Sequence, residues 1–420
     1  MTRPLADIIA ALHRQHYREI LAPLIRSLGS FEWAEDVVQE AFVQALRSWE
    51  PDRLPDEPVA WLRRVARNRA IDQYRRRQRG RSKEQDFAAA LPDHVEPRFD
   101  DDAVADDDLR LIFTCCHPSL APEAQIALTL RTVCGLTTEQ VARAFLVKAT
   151  TPQQRIVRAK RKIDRAGIPY VVPDRDALPQ RLPPVLKTVY LVFNEGYGAT
   201  DGESLIRREL CDEGIRLGRL LCGLMPGEPA PQALLALMLL QHSRHRARTD
   251  AHGDLVPLEE QDRGLWDQTL IAEALPLVEA SLAGQPVPAY AIEAAIAAVH
   301  AQAGTPEATD WAQIAALYGL LEQGAVGNPV VALNAAVAVA MAGDLAAGLA
   351  RIEALDRTGR LAGYHLLPAA RADLLRRLGR PEEARNAFRQ ALEMTTNPVE
   401  RRFIERRLAA LAAPGGDDRP

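Results

Sequence analysis

The sequence predicts an all-α protein of two or three domains, on three observations. Apolar residues recur at helical spacing through most of the 420 residues. No segment alternates apolar and polar residues as a half-buried strand does, although the short run Val185 to Phe193 reads as strand or helix. Prolines gather at positions 51, 55 and 58 and again at 169, 173, 179, 183 and 184, cutting the helical pattern into blocks. A chain of this length can bury real hydrophobic cores.

The first block spans residues 5 to 78. Leu5, Ile8, Ile9 and Leu12 open an amphipathic pattern that Ile20, Leu21, Leu24 and Ile25 extend. Ser30 is placed to cap a second helix, with Glu32 and Glu35 near its positive end. Val37, Val38, Ala41, Phe42, Ala45 and Leu46 then recur at core spacing. A proline-punctuated loop follows, and a third helix starts near Val59, with Leu62, Val65, Ala66, Ala70 and Tyr74 on one side.

Charge is distributed unevenly. The formal net charge is only -4, yet Trp61 to Arg81 carries nine arginines against the single acid Asp72. Asp93 to Asp108 holds eight acids in turn. A field that attracts phosphate is local, so the basic segment matters more than the total. The acidic stretch, with little apolar periodicity, reads as a linker.

The strongest local pattern is Gly135 to Lys160. Thr137 with Gln140, and Thr151 with Gln154, form two capping boxes, and Pro152 stands where a first helical residue needs no N–H. Two short helices joined near Val147 to Thr150 make a helix-turn-helix. Val141, Ala142 and Phe145 pack the first, and Ile156, Ala159 and Ile163 the second. The second helix then exposes Gln153, Gln154, Arg155, Arg158, Arg161 and Lys162, amides and cations of the kind that read base edges and anchor phosphates.

Taken together, Asp36-Val-Val-Gln-Glu-Ala-Phe42 and Trp61-Leu-Arg-Arg-Val-Ala-Arg-Asn-Arg-Ala-Ile-Asp-Gln-Tyr-Arg-Arg76 resemble region 2 of the extracytoplasmic-function (ECF) sigma factors of the sigma-70 family. Leu109 to Asp164 resembles their region 4, and the likeness covers about residues 10 to 168. The long C-terminal extension is similar to that of one ECF subgroup, which carries a helical, tetratricopeptide-like region. The resemblance implies a region 2 bundle over 1–80, an acidic linker over 81–108, a region 4 helix-turn-helix over 109–170 and a helical extension over 171–415, with repeats near 328–411. It further implies that core RNA polymerase is met through its clamp and flap regions, with Asp36, Gln39, Glu40 and Phe42 on the clamp. Trp49, Asp52 and Arg53 (with Asp56) would hold an extruded base of the –10 element. Asn68, Arg69, Asp72, Arg75 and Arg76 would face –10 DNA, and Thr151, Gln153, Gln154, Arg155, Arg158, Arg161 and Lys162 the –35 element. The sequence departs from the family where Thr150-Thr151-Pro152 replaces the usual Gly-Thr-Val, and in its Cys115-Cys116-His117 cluster.

Other constellations carry less. The five cysteines form no CxxC pair; Cys115 and Cys116 read as small buried residues sooner than metal ligands. His242, His245, His252, Asp250 and Asp254 match no metal spacing, and Asn194 to Gly202 lacks the ending of a phosphate-binding loop. Glu259, Glu260, Gln261, Asp262, Arg263 and Trp266 are dense in hydrogen-bonding groups, suited to a ligand or docking site or to a solvated helix start. Gly343-Asp-Leu-Ala-Ala-Gly-Leu-Ala-Arg-Ile and Gly379-Arg-Pro-Glu-Glu-Ala-Arg-Asn-Ala-Phe lie 36 residues apart, a period that suits tetratricopeptide-like helix pairs. Such a surface favours a protein or peptide partner. The expectation is therefore a cytoplasmic, non-enzymatic sigma factor without metal or cofactor and without a membrane span. The alternative is a helix-turn-helix regulator that never acts on polymerase as sigma does.

Overall fold

The computed structural model describes residues 5–50, 53–84, 104–144, 150–174, 176–197, 208–284, 286–324, 328–395 and 397–412. Among them every regular element is a helix, and none is long and apolar enough to cross a membrane. The chain divides into two compact units, Met1–Leu191 and Val192–Pro420.

The first unit opens with α1 (Leu5–Leu28), α2 (Phe31–Ser48) and α3 (Pro58–Glu84). The α1–α2 turn needs Gly29, whose φ of 66° is one that side chains rarely adopt. Ser30 then caps α2 by accepting from the Trp33 backbone N–H at 3.3 Å, as its position in the sequence predicts. Tyr17, Leu21 and Ile25 of α1, Val37, Val38 and Ala41 of α2, and Leu62, Ala66 and Ala70 of α3 are buried together. Each large side chain so covered contributes about 1.5–3 kcal/mol. Leu46 departs from its predicted core role: it is 48% exposed, because α2's core stripe passes through Ala41 and Ala45 and leaves the neighbouring ridge uncovered.

Next come α4 (Val104–Cys115), α5 (Pro122–Thr132), α6 (Thr138–Ala144), α7 (Thr150–Arg165) and the start of α8 (Leu178–Tyr197). The acidic run enters α4 from Val104 on; its earlier acids, and Phe145, lie outside the described residues. Asp107 is buried, with Arg110 at 3.1 Å and Arg26 of α1 at 3.3 Å, so this aspartate works as a tie between helices. Cys115 and Cys116 are buried against the hydroxyls of Thr132 (3.1 Å) and Thr129 (3.4 Å), and burial pushes both thiols up. The ambiguous run Val185–Phe193 is helical, since Val185, Val189, Val192 and Phe193 recur on one buried face of α8.

The second unit contains α9 (Arg208–Leu224), α10 (Pro229–Ser243), α11 (Gln268–Leu282), α12 (Ala289–Gln302) and α13 (Trp311–Gly324). Residues 233–240 of α10 are all buried, as suits a helix apolar on every side that α9, α11 and α12 surround. Then follow α14 (Pro329–Met341), α15 (Leu345–Arg357), α16 (Leu366–Arg377), α17 (Pro381–Met394) and α18 (Pro398–Ala412). The α14–α15 and α16–α17 hairpins carry the 36-residue repeat: Ala336 and Ala372, and Ile352 and Phe388, occupy matching buried positions.

Candidate nucleic-acid interface

Two basic helices stand in the first unit, and each hides one face and exposes the other. On α3, the buried stripe Leu62–Ala66–Ala70 turns Asn68, Arg69, Asp72, Arg75 and Arg76 outward, all exposed. A side-chain bridge sets the start of this surface. Trp33 Nε1 donates to Gln73 Oε1 (2.7 Å), Gln73 Nε2 donates to Glu40 (3.1 Å), and Arg69 donates to Gln44 (3.2 Å) while lying 3.8 Å from Glu40. Trp33 also stacks on Tyr74, with ring planes 8° apart.

The exposed face of α2 carries Asp36, Gln39 and Glu40. Phe42, assigned to the same contact by resemblance, is instead buried, with the His13 ring 5.0 Å away. Val43 (44% exposed) and Leu46 (48%) continue the face along α2, so an acidic patch is joined to an apolar one. Reading the sequence alone leaves Val43 out and takes Leu46 for a core residue, although the helical step from Asp36 through Glu40 leads directly to Val43. Burial holds the His13 imidazole down to about 4, with Arg131 adding to the effect.

In the loop before α3, Arg53 is exposed and its backbone N–H closes a turn onto the Glu50 carbonyl at 3.0 Å. Asp56 is also exposed, whereas Asp52 lies outside the described residues. Trp49 is buried edge-on to Trp61, with ring centroids 5.1 Å apart.

On α7, Ile156, Ala159 and Ile163 pack inward as their spacing predicts, next to α5. Gln153, Gln154, Arg158, Arg161 and Lys162 are exposed, and Thr151 and Arg155 half-buried. The helix begins at Thr150, one residue before Thr151, with Pro152 buried in its first turn. Lys162 also donates to the Ser119 carbonyl, which fixes that ammonium near the helix flank. Lys160 was missed altogether. It lies on the inner face and forms an ion pair with Glu35 of α2, the two side chains only 8% and 11% exposed. Beyond α7, Tyr170 reaches α1 and α4 by donating to the Ala22 carbonyl at 3.2 Å or the Asp107 carbonyl at 3.1 Å.

Exposed guanidiniums and amides on a helix whose other face is fixed in a core can meet phosphates and base edges without first ordering a backbone. Comparison with known proteins matches three stretches of the chain. Residues 12–80 match the family model for sigma-70 region 2, and 110–163 that for sigma-70 region 4. Residues 181–282 match a family of unknown function (DUF6596). An uncharacterized protein of Rhizobium meliloti is 44% identical over 399 residues, 94% of either chain. A "Probable ECF RNA polymerase sigma factor SigI" of Mycobacterium tuberculosis is 30% identical over 167 residues, 39% of this chain and 56% of that one. The RNA polymerase sigma-H factor of Pseudomonas aeruginosa is 30% identical over 168 residues, 38% of this chain and 84% of that one.

Proposed function

Because the chain belongs to the sigma-70 family, as an ECF sigma factor with an additional C-terminal domain, we propose that its two exposed basic faces divide the promoter between them. The α3 face (Asn68, Arg69, Asp72, Arg75, Arg76), with the Arg53 loop beside it, takes the opened –10 element. The α7 face (Gln153, Gln154, Arg155, Arg158, Arg161) reads duplex –35 DNA in the major groove. The observation that carries this reading is the orientation of these residues: each basic set faces solvent while the opposite side of its helix is locked in the core. No bond is made or broken by the protein. Binding energy to the unstacked strand offsets the few kcal/mol that extruding a base costs.

The α2 face meets core polymerase. Asp36, Gln39 and Glu40 supply charge and hydrogen bonds, and Val43 and Leu46 supply apolar area, a combination suited to a basic, amphipathic partner helix such as a coiled-coil clamp. The C-terminal domain acts on transcription in cis through a protein or peptide contact. Its helix hairpins and the exposed Leu320, Val330 and Leu366 support that role.

The deciding experiment is run-off transcription with sigma-free core enzyme. Full-length protein is expected to give promoter-specific transcripts, and R155A/R158A to lose –35 protection by tenfold or more. Absence of any specific transcript, with an intact DNA footprint, would favour a regulator that is not a sigma factor. For the C-terminal domain the same assay uses a truncated chain. Cutting at Gln180 would strip Leu182, Val185, Leu186 and Val189 from the first unit, so the cut belongs after Tyr197. Equal specific activity of the two proteins would remove the cis role.

A further inference from the structure

Most arginines of the second unit stand opposite a carboxylate. Arg219 meets Glu273, Arg351 meets Glu322, Arg371 meets Asp356, Arg402 meets Asp254 and Arg407 meets Glu260. Arg244, Arg248 and Arg263 differ: among the described residues none has a carboxylate within ion-pair reach, although all three are partly buried. Aromatic rings hold them instead. The Arg248 guanidinium lies 3.8 Å from the Tyr197 ring centre, and that of Arg263 lies 4.0 Å from Trp266. Arg244 stands between the two rings, 5.9 Å from Tyr197 and 5.6 Å from Trp266, and donates to the Tyr197 hydroxyl. Their remaining partners are backbone carbonyls, that of Tyr197 for Arg248 and that of His300 (2.9 Å) for Arg263.

Such stacking orients guanidinium forks without neutralising them. Arg244 is close enough for each of the other two cations to feel it. Burial lowers the pKa of Arg248 and of Arg263, and in both Arg244 adds repulsion. The acids that act on them from farther off are Glu400, which faces His365 at 3.1 Å, and Glu307. Buried donors are also left over: Trp266, only 4% exposed, keeps an indole N–H without an acceptor, and Arg263 Nε lacks one too. Partly buried charges are normally paired, and among the described residues these three meet no carboxylate at ion-pair distance.

We propose that Arg244, Arg248 and Arg263, on the Tyr197–Trp266 aromatic frame, form a binding site for a small molecule bearing a phosphoryl group. Phosphate suits the set better than a single carboxylate does. It carries close to two charges and three strong acceptor oxygens, against three forks and an unused indole N–H. The five residues belong to the second unit, whereas α3 and α7 belong to the first, and all five fall within the 181–282 segment.

Titration calorimetry on the full chain tests the site with inorganic pyrophosphate as probe and citrate as the carboxylate arm, at constant ionic strength and without DNA. Pyrophosphate is expected to bind, and R244Q and R263Q each to weaken it by about tenfold or more. R155Q/R158Q on α7 and R402Q, whose partner is Asp254, should leave it unchanged. If R244Q fails to fold, R244K keeps the charge but not the fork and should still weaken binding. No binding of pyrophosphate, binding lost only in R155Q/R158Q, tighter binding of citrate, or full affinity in R244Q and R263Q would each overturn the assignment. Because nothing is transcribed in this measurement, its failure leaves the sigma-factor reading untouched.

Discussion

Lys160 sits on the inner face of α7, where a lysine is costly unless its charge is met, and Glu35 meets it. Removing either partner leaves the other buried and unpaired. Lys160→Met is therefore expected to cost about 3–5 kcal/mol in denaturant unfolding. The double variant E35L/K160M should recover most of that loss, and a double variant no more stable than the single one would refute the pairing. The sequence could not have revealed this contact. Helical spacing placed Ile156, Ala159 and Ile163 correctly, but a lysine carries no sign of burial, and its partner lies 125 residues away. His13 and His300 make a second residue-scale prediction. Burial is the main cause in both, Arg131 adding for His13 and Arg244 and Arg263 for His300, and both imidazoles are held down to about 4. The unfolded chain, with histidines near 6.5, binds more protons between these values, so stability is present above 6.5 and falls as pH drops towards 4. Each group is worth on the order of 1–3 kcal/mol across that window. Melting curves of H13Q and H300Q should be flatter between pH 6.5 and 4 than those of the parent.

At the scale of elements, small residues decide how closely helices pack. A Cβ on Gly348 of α15 would come within 2.5 Å of the Ala340 Cβ and 2.7 Å of the Ala336 carbonyl oxygen on α14. Gly348→Ala is expected to destabilise the second unit by about 1–3 kcal/mol, because backbone must move to admit it. A thermal scan showing no loss would mean that the hairpin is looser than this. The repeat that identified these hairpins was legible because glycine and alanine recur 36 residues apart at the contact itself. The class of α8 was not legible, since Val185, Val189 and Val192 favour strands locally and become helical only through tertiary burial. The α2 surface was read in part. Its acids stood out, while Leu46 looked like one more core position, and only packing shows which of two adjacent ridges is covered.

At the scale of the whole molecule, the basic faces and the arginine–aromatic cluster occupy different units. The first division was visible in the sequence as charge pattern and motif. The second depended on Tyr197, Arg244 and Trp266 meeting in space, which no spacing announces. The ion pair between Glu35 and Lys160 has a last consequence, one of length. From –35 to –10 is about 25 base pairs, or about 85 Å of duplex. A compact unit of 191 residues measures only about 40 Å across. With α2, on which α3 packs, clasped to α7 inside that one unit, the protein is too short a ruler for the promoter contacts proposed above. On that proposal, engaging both elements requires the clasp to open, and its energy is then subtracted from promoter affinity. Energy transfer between dyes at R76C and R161C should be high in the free protein and collapse in the promoter complex with polymerase. Transfer that stays high in a transcribing complex would show that the ruler never unfolds.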